Sequence, residues 1–243
     1  MKRIFHATAL LSLAALVSAQ PPIDPKTTAA ASGPKPVAEL QPGVYKFQAK
    51  LALGGQQLTL SVSTTIKEEN GAWSAIDVID TPSGPAVDTA TLDRGTLALR
   101  KRTVQQGPLN ISITIENGKA IGSMNLGGKE TPIAVDLGGP VFGDGPGGAQ
   151  SIASLPLAEG YTTTFRQLDV QKQKVKTMRL RVAGTEMVTV PAGTFDTFRV
   201  ELASQDGPGQ MTVWVARGTH KPVKLSTVLT QAGDATMTEE LLP

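Results

Sequence analysis

Residues 58–67 read Leu58-Thr59-Leu60-Ser61-Val62-Ser63-Thr64-Thr65-Ile66-Lys67. Large apolar or β-branched side chains fall at every second position, with small polar ones between. Side chains on a strand point alternately to opposite faces, so a period of two gives one buried and one wetted face. The same period recurs at Tyr45, Phe47, Ala49, Leu51 and Leu53, at Ile111, Ile113 and Ile115, and at Phe198, Val200 and Leu202. Parallel strands covered on both faces would read as continuous apolar runs. The pattern therefore predicts half-covered antiparallel strands.

Turn chemistry falls between these runs. Gly54-Gly55, Asn70-Gly71, Arg94-Gly95, Asn117-Gly118, Gly127-Gly128 and Asp206-Gly207 supply residues that tolerate positive φ. Their spacing suits short hairpins. A 3.6-residue amphipathic pattern is sustained nowhere beyond the N-terminal leader, and one short helix is expected at most, over residues 149–155. The fold class expected is all-β: a large antiparallel sheet with little helix.

The ends and the middle of the chain read differently. Lys2 and Arg3 precede an apolar run from Ile4 to Val17, and Val17-Ser18-Ala19 offers small residues for cleavage. This is the layout of a secretory signal peptide over residues 1–19, and it predicts an exported, periplasmic or extracellular protein. Residues 20–41 (QPPIDPKTTAAASGPKPVAELQ) are rich in proline and alanine and read as a semi-extended tether. A single β domain is expected over residues 42–243. It is interrupted at 137–150 by LGGPVFGDGPGGAQ, which reads as a mobile surface loop. No second long apolar stretch follows the leader, so no transmembrane segment is expected after cleavage.

Composition narrows the chemistry. The 243 residues include 25 Gly, 17 Pro and no Cys, which excludes disulfide scaffolds, thiolate metal sites and cysteine nucleophiles. Removing Lys2 and Arg3 with the leader takes the 23 Lys plus Arg to 21, level with the 21 Asp plus Glu. A neutral mature chain gives no electrostatic case for nucleic acid. His220 is the only histidine beyond the leader and sits in the turn-like Gly218-Thr219-His220-Lys221-Pro222. No G-x-S-x-G elbow accompanies it, and one nitrogen ligand does not make a zinc site. Gly143, Gly145 and Gly148 have G-x-G-x-x-G spacing, but Pro146 lies inside it and no βαβ unit follows, so no cofactor is expected.

Three further features invite a functional reading. Asp77, Asp80, Asp88 and Asp93 lie close enough in sequence to face one another across a hairpin, as acid hydrolysis requires, although acids around Pro82-Ser83-Gly84-Pro85 are ordinary turn residues. Arg166, Lys172, Lys174, Lys176, Arg179 and Arg181 form a basic stretch. It reads as protection of a sheet edge against aggregation rather than as an anion-docking stripe. Trp73, Tyr161, Phe165, Phe198 and Trp214, with Phe195, are candidates to line an apolar cavity, or else simply to pack the sheet.

From Leu155 to Leu225 the order of motifs is distinctive. Leu155-Pro156-Leu157-Ala158-Glu159-Gly160-Tyr161 is followed by Val190-Pro191-Ala192-Gly193-Thr194-Phe195, then Val213-Trp214-Val215-Ala216 and Lys221-Pro222-Val223-Lys224. This C-terminal half resembles an exported bacterial β-domain family, domain of unknown function 3108, while the N-terminal half matches only in its strand-rich character. The family is similar in architecture to envelope lipoprotein carriers, so the resemblance implies an open, strongly curved half-barrel and an apolar ligand. It carries over no catalytic residue. The reading that follows is a non-enzymatic envelope protein that binds a hydrophobic or lipid-like molecule or an envelope partner. The alternatives are a tethered interaction scaffold and, last, an acid-residue hydrolase.

Overall fold

The computed structural model describes residues 32–53, 56–206, 209–229 and 235–243. The expected signal peptide, the first part of the expected tether and the turns at Gly54-Gly55 and Gly207 lie outside the described residues. Strands β1 (Gly43–Leu53), β2 (Gln56–Glu69), β3 (Ala72–Thr81), β4 (Gly84–Leu92), β5 (Leu99–Gln106), β6 (Leu109–Glu116), β7 (Lys119–Leu126) and β8 (Lys129–Asp136) form one meander. A second comprises β9 (Thr162–Asp169), β10 (Lys174–Val190), β11 (Gly193–Ser204), β12 (Gln210–Ala216), β13 (Lys221–Leu229) and β14 (Ala235–Leu241). A short helix, α1 (Gly148–Ala153), lies between them, starting one residue before the 149–155 span expected for one.

All fourteen strands belong to one antiparallel sheet in the order β8-β7-β6-β5-β4-β3-β2-β1-β14-β13-β12-β11-β10-β9. The two meanders join where β1 pairs with β14, with Phe47 opposite Leu241 and Ala49 opposite Glu239. Strands β8 and β9 remain as edges, so the sheet is an open half-barrel rather than a closed barrel. Local chemistry sets the hairpins. Asn70 and Gly71 have φ of 52° and 72°, and Asn117 and Gly118 have 50° and 76°. Positive φ at both central residues gives a turn whose twist matches that of its flanking strands.

Register carries the alternation across the sheet. Phe47 faces Val62, Val62 faces Ile79, and one row further along Tyr45, Thr64, Asp77, Asp88, Val104 and Ile111 stand opposite one another in turn. Inward side chains such as Ile66, Trp73, Ile113, Leu180 and Leu202 make the main core. The long strand β10 departs from simple alternation. Its register on β11 shifts between Val182 and Gly184, and one extra residue switches the faces of everything beyond it. Val188 and Val190 consequently join Phe195, Ala216, Val223 and Leu241 in a second cluster. The Pro191-Ala192 link between β10 and β11 is tied to β14 by the Ala192 N–H, 3.0 Å from the Leu241 carbonyl. The VPAGTF segment is thus a structural corner.

The glycine-rich segment is not a surface loop. Val141, Phe142, Ile152, Ala153 and Leu155 are buried in the main core, and Phe142 meets Phe165 edge-on at 5.5 Å. Its backbone bridges distant strands: the Phe142 N–H donates to the Arg166 carbonyl of β9, and the Leu99 N–H of β5 donates to the Val141 carbonyl. This plug fills much of the hollow. Its glycines let backbone approach where side chains cannot. At Gly147, whose φ is +72°, a Cβ would stand 2.8 Å from that of Ala75. At Gly145 a Cβ would lie 2.8 Å from the Arg102 guanidinium carbon. The sequence misleads because glycine and proline here serve close packing rather than mobility.

The end of the tether segment is likewise docked over residues 32–41. The Val37 N–H donates to the Ser154 carbonyl at 2.8 Å, and Leu40 belongs to the main core. Packing against the plug therefore begins before Pro42.

Candidate functional site

Between the plug and the inner face of the sheet lies a cavity of about 360 Å³. Its apolar wall is built by Phe47, Val62 and Ile79 from β1–β3 and by Met178, Met211 and Leu225 from β10, β12 and β13. Each sits at an inward position of an alternating strand. The plug contributes backbone from Gly143 to Gly148, together with Ala149 and Gln150. Four charged residues line the same space: Asp77 from β3, Asp144 from the plug, Lys176 from β10 and Glu239 from β14.

The acids are not equivalent. Asp77 stands directly opposite Asp88 and accepts a 2.6 Å hydrogen bond from the Thr64 hydroxyl. Burial pushes the Asp77 carboxyl up to about 6; the Thr64 bond opposes that rise, the Asp88 charge adds to it and the Arg102 charge opposes it in turn. Glu239 is raised to about 7, chiefly by burial and then by the charge of Asp77. Asp88 is held by Arg102, whose Nε and Nη2 lie 3.1 and 2.7 Å from its oxygens. The same guanidinium reaches Asp144 from Nη1 at 3.3 Å, and the other Asp144 oxygen accepts the Leu168 N–H of β9 at 3.1 Å. Burial works against the Arg102 charge, but the carboxylates of Asp144, Asp88 and Asp77 outweigh it and raise its pKa further. Burial also raises Asp144. One plug aspartate thereby ties β5 of the first meander to β9 of the second.

Asp77 and Asp88 do face one another across the β3–β4 hairpin, as the spacing allowed, and they point inward rather than into a solvated loop. Asp80 is exposed. Asp93 belongs to another turn, where it accepts the Gly95 and Thr96 N–H groups and pairs with Arg100. The Thr96 backbone bond, foremost, holds its carboxyl down near 2. These four acids therefore do not converge.

The aromatic candidates lie elsewhere. Trp73 and Phe165 are buried in the main core, with Tyr161 and Phe198 partly buried against it. Trp214 packs in the second cluster, donates from Nε1 to Glu186 at 2.5 Å and lies beneath the Lys224 ammonium. None of the five lines the cavity, whose only aromatic wall is Phe47. His220 adopts φ of 52° in its turn, with Nδ1 3.0 Å from the Ala153 carbonyl of α1. In the basic stretch Lys176 pairs with Asp169 at 2.7 Å and Arg181 with Glu201 at 2.7 Å. Arg166 lies on the edge strand β9, whereas Lys174, Lys176, Arg179 and Arg181 lie on β10, which pairs on both sides and is not an edge.

Sequence reading missed Glu239, Asp144 and the methionines. Glu239 had a signal: Ala235, Met237, Glu239 and Leu241 share one phase, so an acid occupies a position that alternation assigns to the interior. Asp144 had none, because its burial depends on how the plug folds. Among the described residues, no three side chains of His, Asp or Glu gather as a metal site, and no helix is long and apolar enough to cross a membrane.

No curated protein matches the chain. Among solved structures it is similar to a β-barrel-like protein of domain of unknown function DUF1849 from Brucella abortus. That match has 13% identity and a TM-score of 0.55, over 84% of this chain and 97% of that one. The hypothetical lipoprotein YmcC from Escherichia coli matches at 13% identity and a TM-score of 0.37, over 82% and 84% of the two chains. An exported protein with a YmcC-like fold from Bacteroides fragilis matches at 12% and 0.31, over 85% and 97%. The Brucella likeness shows the fold alone. The sequence model of DUF3108, a family of proteins of unknown function, matches residues 41–240. That span takes in both meanders except Leu241 at the end of β14, including the N-terminal one that motif reading left unassigned, and the chain belongs to the DUF3108 family.

Proposed function

We propose that this protein is an exported, non-enzymatic envelope component whose half-barrel holds a small hydrophobic or lipid-like molecule. The cavity carries the proposal. Its volume of about 360 Å³ falls within the range of roughly 300–1,000 Å³ typical of small-molecule pockets. Its wall is mainly aliphatic and thioether, a surface that re-packs readily around apolar guests. Export is supported by the layout of residues 1–19, and binding without chemistry by how two of the reactive groups, Asp88 and His220, are engaged. Asp88 is locked by Arg102, and the His220 ring rests on the Ala153 carbonyl, a residue of the plug helix that does not line the cavity.

The test is extraction of protein purified without detergent from its native envelope. Organic solvent followed by mass spectrometry is expected to release an apolar or amphipathic molecule at near-stoichiometric amount. Substituting Met178 and Met211 together by Gln should deplete it. Protein that is folded and yields no such molecule would contradict the binding reading.

A further inference from the structure

Charges around the cavity are unevenly compensated. Its nearby cations are already engaged: Arg102 by Asp88 and Asp144, and Lys176 by Asp169. Asp77 accepts one hydrogen bond, from the neutral Thr64. The Glu239 carboxyl has no hydrogen-bond or ion-pair partner among the described residues, although its backbone pairs with β1 and β13. Its neighbour Glu240, on the opposite face of β14, accepts from both Lys50 and Lys224, at 3.3 and 3.0 Å. The strand thus neutralises its outward acid and leaves the inward one bare above an apolar wall.

Resting on the binding reading above, we propose that the cavity takes a cationic amphiphile, its alkyl body against Phe47, Val62, Ile79 and the two methionines and its amine paired with Asp77 and Glu239. A buried carboxylate without a counter-charge is costly, and an ammonium brought by the ligand supplies the missing partner. An alcohol of the same length gains only the apolar contact. A carboxylate ligand meets like charge. Arg102 of β5 partly offsets the charge of Asp77 and Lys176 of β10 lines the same cavity, but each is held by its own aspartates and so competes weakly. Asp88 and Asp144 add to the negative field.

The ionisation of the pair sets the pH response. With Asp77 near 6 and Glu239 near 7, both are charged at pH 8 and protonated at pH 5, while an alkylamine stays cationic throughout. Amine affinity should fall on acidification, whereas a bound carboxylate would show the opposite trend.

Decylamine, decanol and decanoate are matched probes for titration calorimetry on the full mature chain. At pH 8 decylamine is expected to bind about tenfold or more tightly than decanol, a ratio usual for gaining one charge pair in a desolvated site. The preference should collapse at pH 5 and in the Asp77→Asn/Glu239→Gln double variant, with decanol binding retained. Equal binding of decylamine and decanol at pH 8, or tighter binding of decanoate, would overturn the amine assignment and leave the cavity reading standing. Binding of none of the three would overturn both. A folded double variant that keeps the amine preference would place the cation elsewhere and also overturn it. The wild-type comparison stands even if that variant fails to fold.

Discussion

Asp77 and Glu239 each keep a carboxyl where water is scarce, and the cost is legible as a rise in proton affinity. An unfolded chain releases these protons near pH 4, whereas the folded one holds them to about 6 and about 7. Between those limits the native state binds more protons, so raising the pH through the window from about 4 to 7 removes stability. Neutral isosteres escape the loss. Asp77→Asn and Glu239→Gln should each stabilise the ligand-free protein at pH 8 by on the order of 1–3 kcal/mol and leave it unchanged at pH 4. Urea denaturation at the two pH values measures both. A variant less stable than wild type at pH 8 would mean that the carboxylates have partners which neutralise them.

At the scale of elements, strands and plug obey different rules. The plug works because its backbone, not its side chains, meets the sheet. Gly147→Ala should cost about 1–3 kcal/mol, since the added methyl meets Ala75 at 2.8 Å and the residue also needs positive φ. Gly118→Ala, in a turn with open space around the same backbone geometry, should cost only the conformational part. Comparing the two melting temperatures separates close packing from backbone strain. The contrast also explains what the sequence revealed. Strands such as 58–67 were readable because alternation is a local consequence of the pleat, and the hairpins followed from Asn-Gly pairs. The bulge at Gly184, the buried plug and the pairing of Asp144 with Arg102 were not. Each depends on contacts between segments far apart in the chain, which no local period encodes. Glu239 falls between the two: its inward phase could be read, but its role required the cavity. The aromatic candidates lie away from this cavity for a related reason. Trp73 and Phe165 went to the main core, and apart from Phe47 the hollow was left to methionine and aliphatic side chains.

For the whole molecule the governing fact is that two meanders share one sheet. Pairing of β1 with β14 and the Asp144 bridge from β5 to β9 couple them, so neither half has a complete core alone. Each half carries one tryptophan, Trp73 in the first and Trp214 in the second. Trp73→Phe and Trp214→Phe variants therefore give one reporter per half. Their fluorescence transitions in guanidinium should coincide at a single midpoint once each variant's own stability, measured by circular dichroism, is taken into account. Two separated transitions would show that the halves unfold independently.

The strand order has a temporal consequence as well. The first and last strands of the domain are central neighbours, while the chain's middle supplies both rims. During synthesis β1 waits with one side unsatisfied until the final strand emerges. A polypeptide cut short before Ala235 loses its seam rather than its fringe, and the exposed flank of β1 then offers a template for joining another nascent chain.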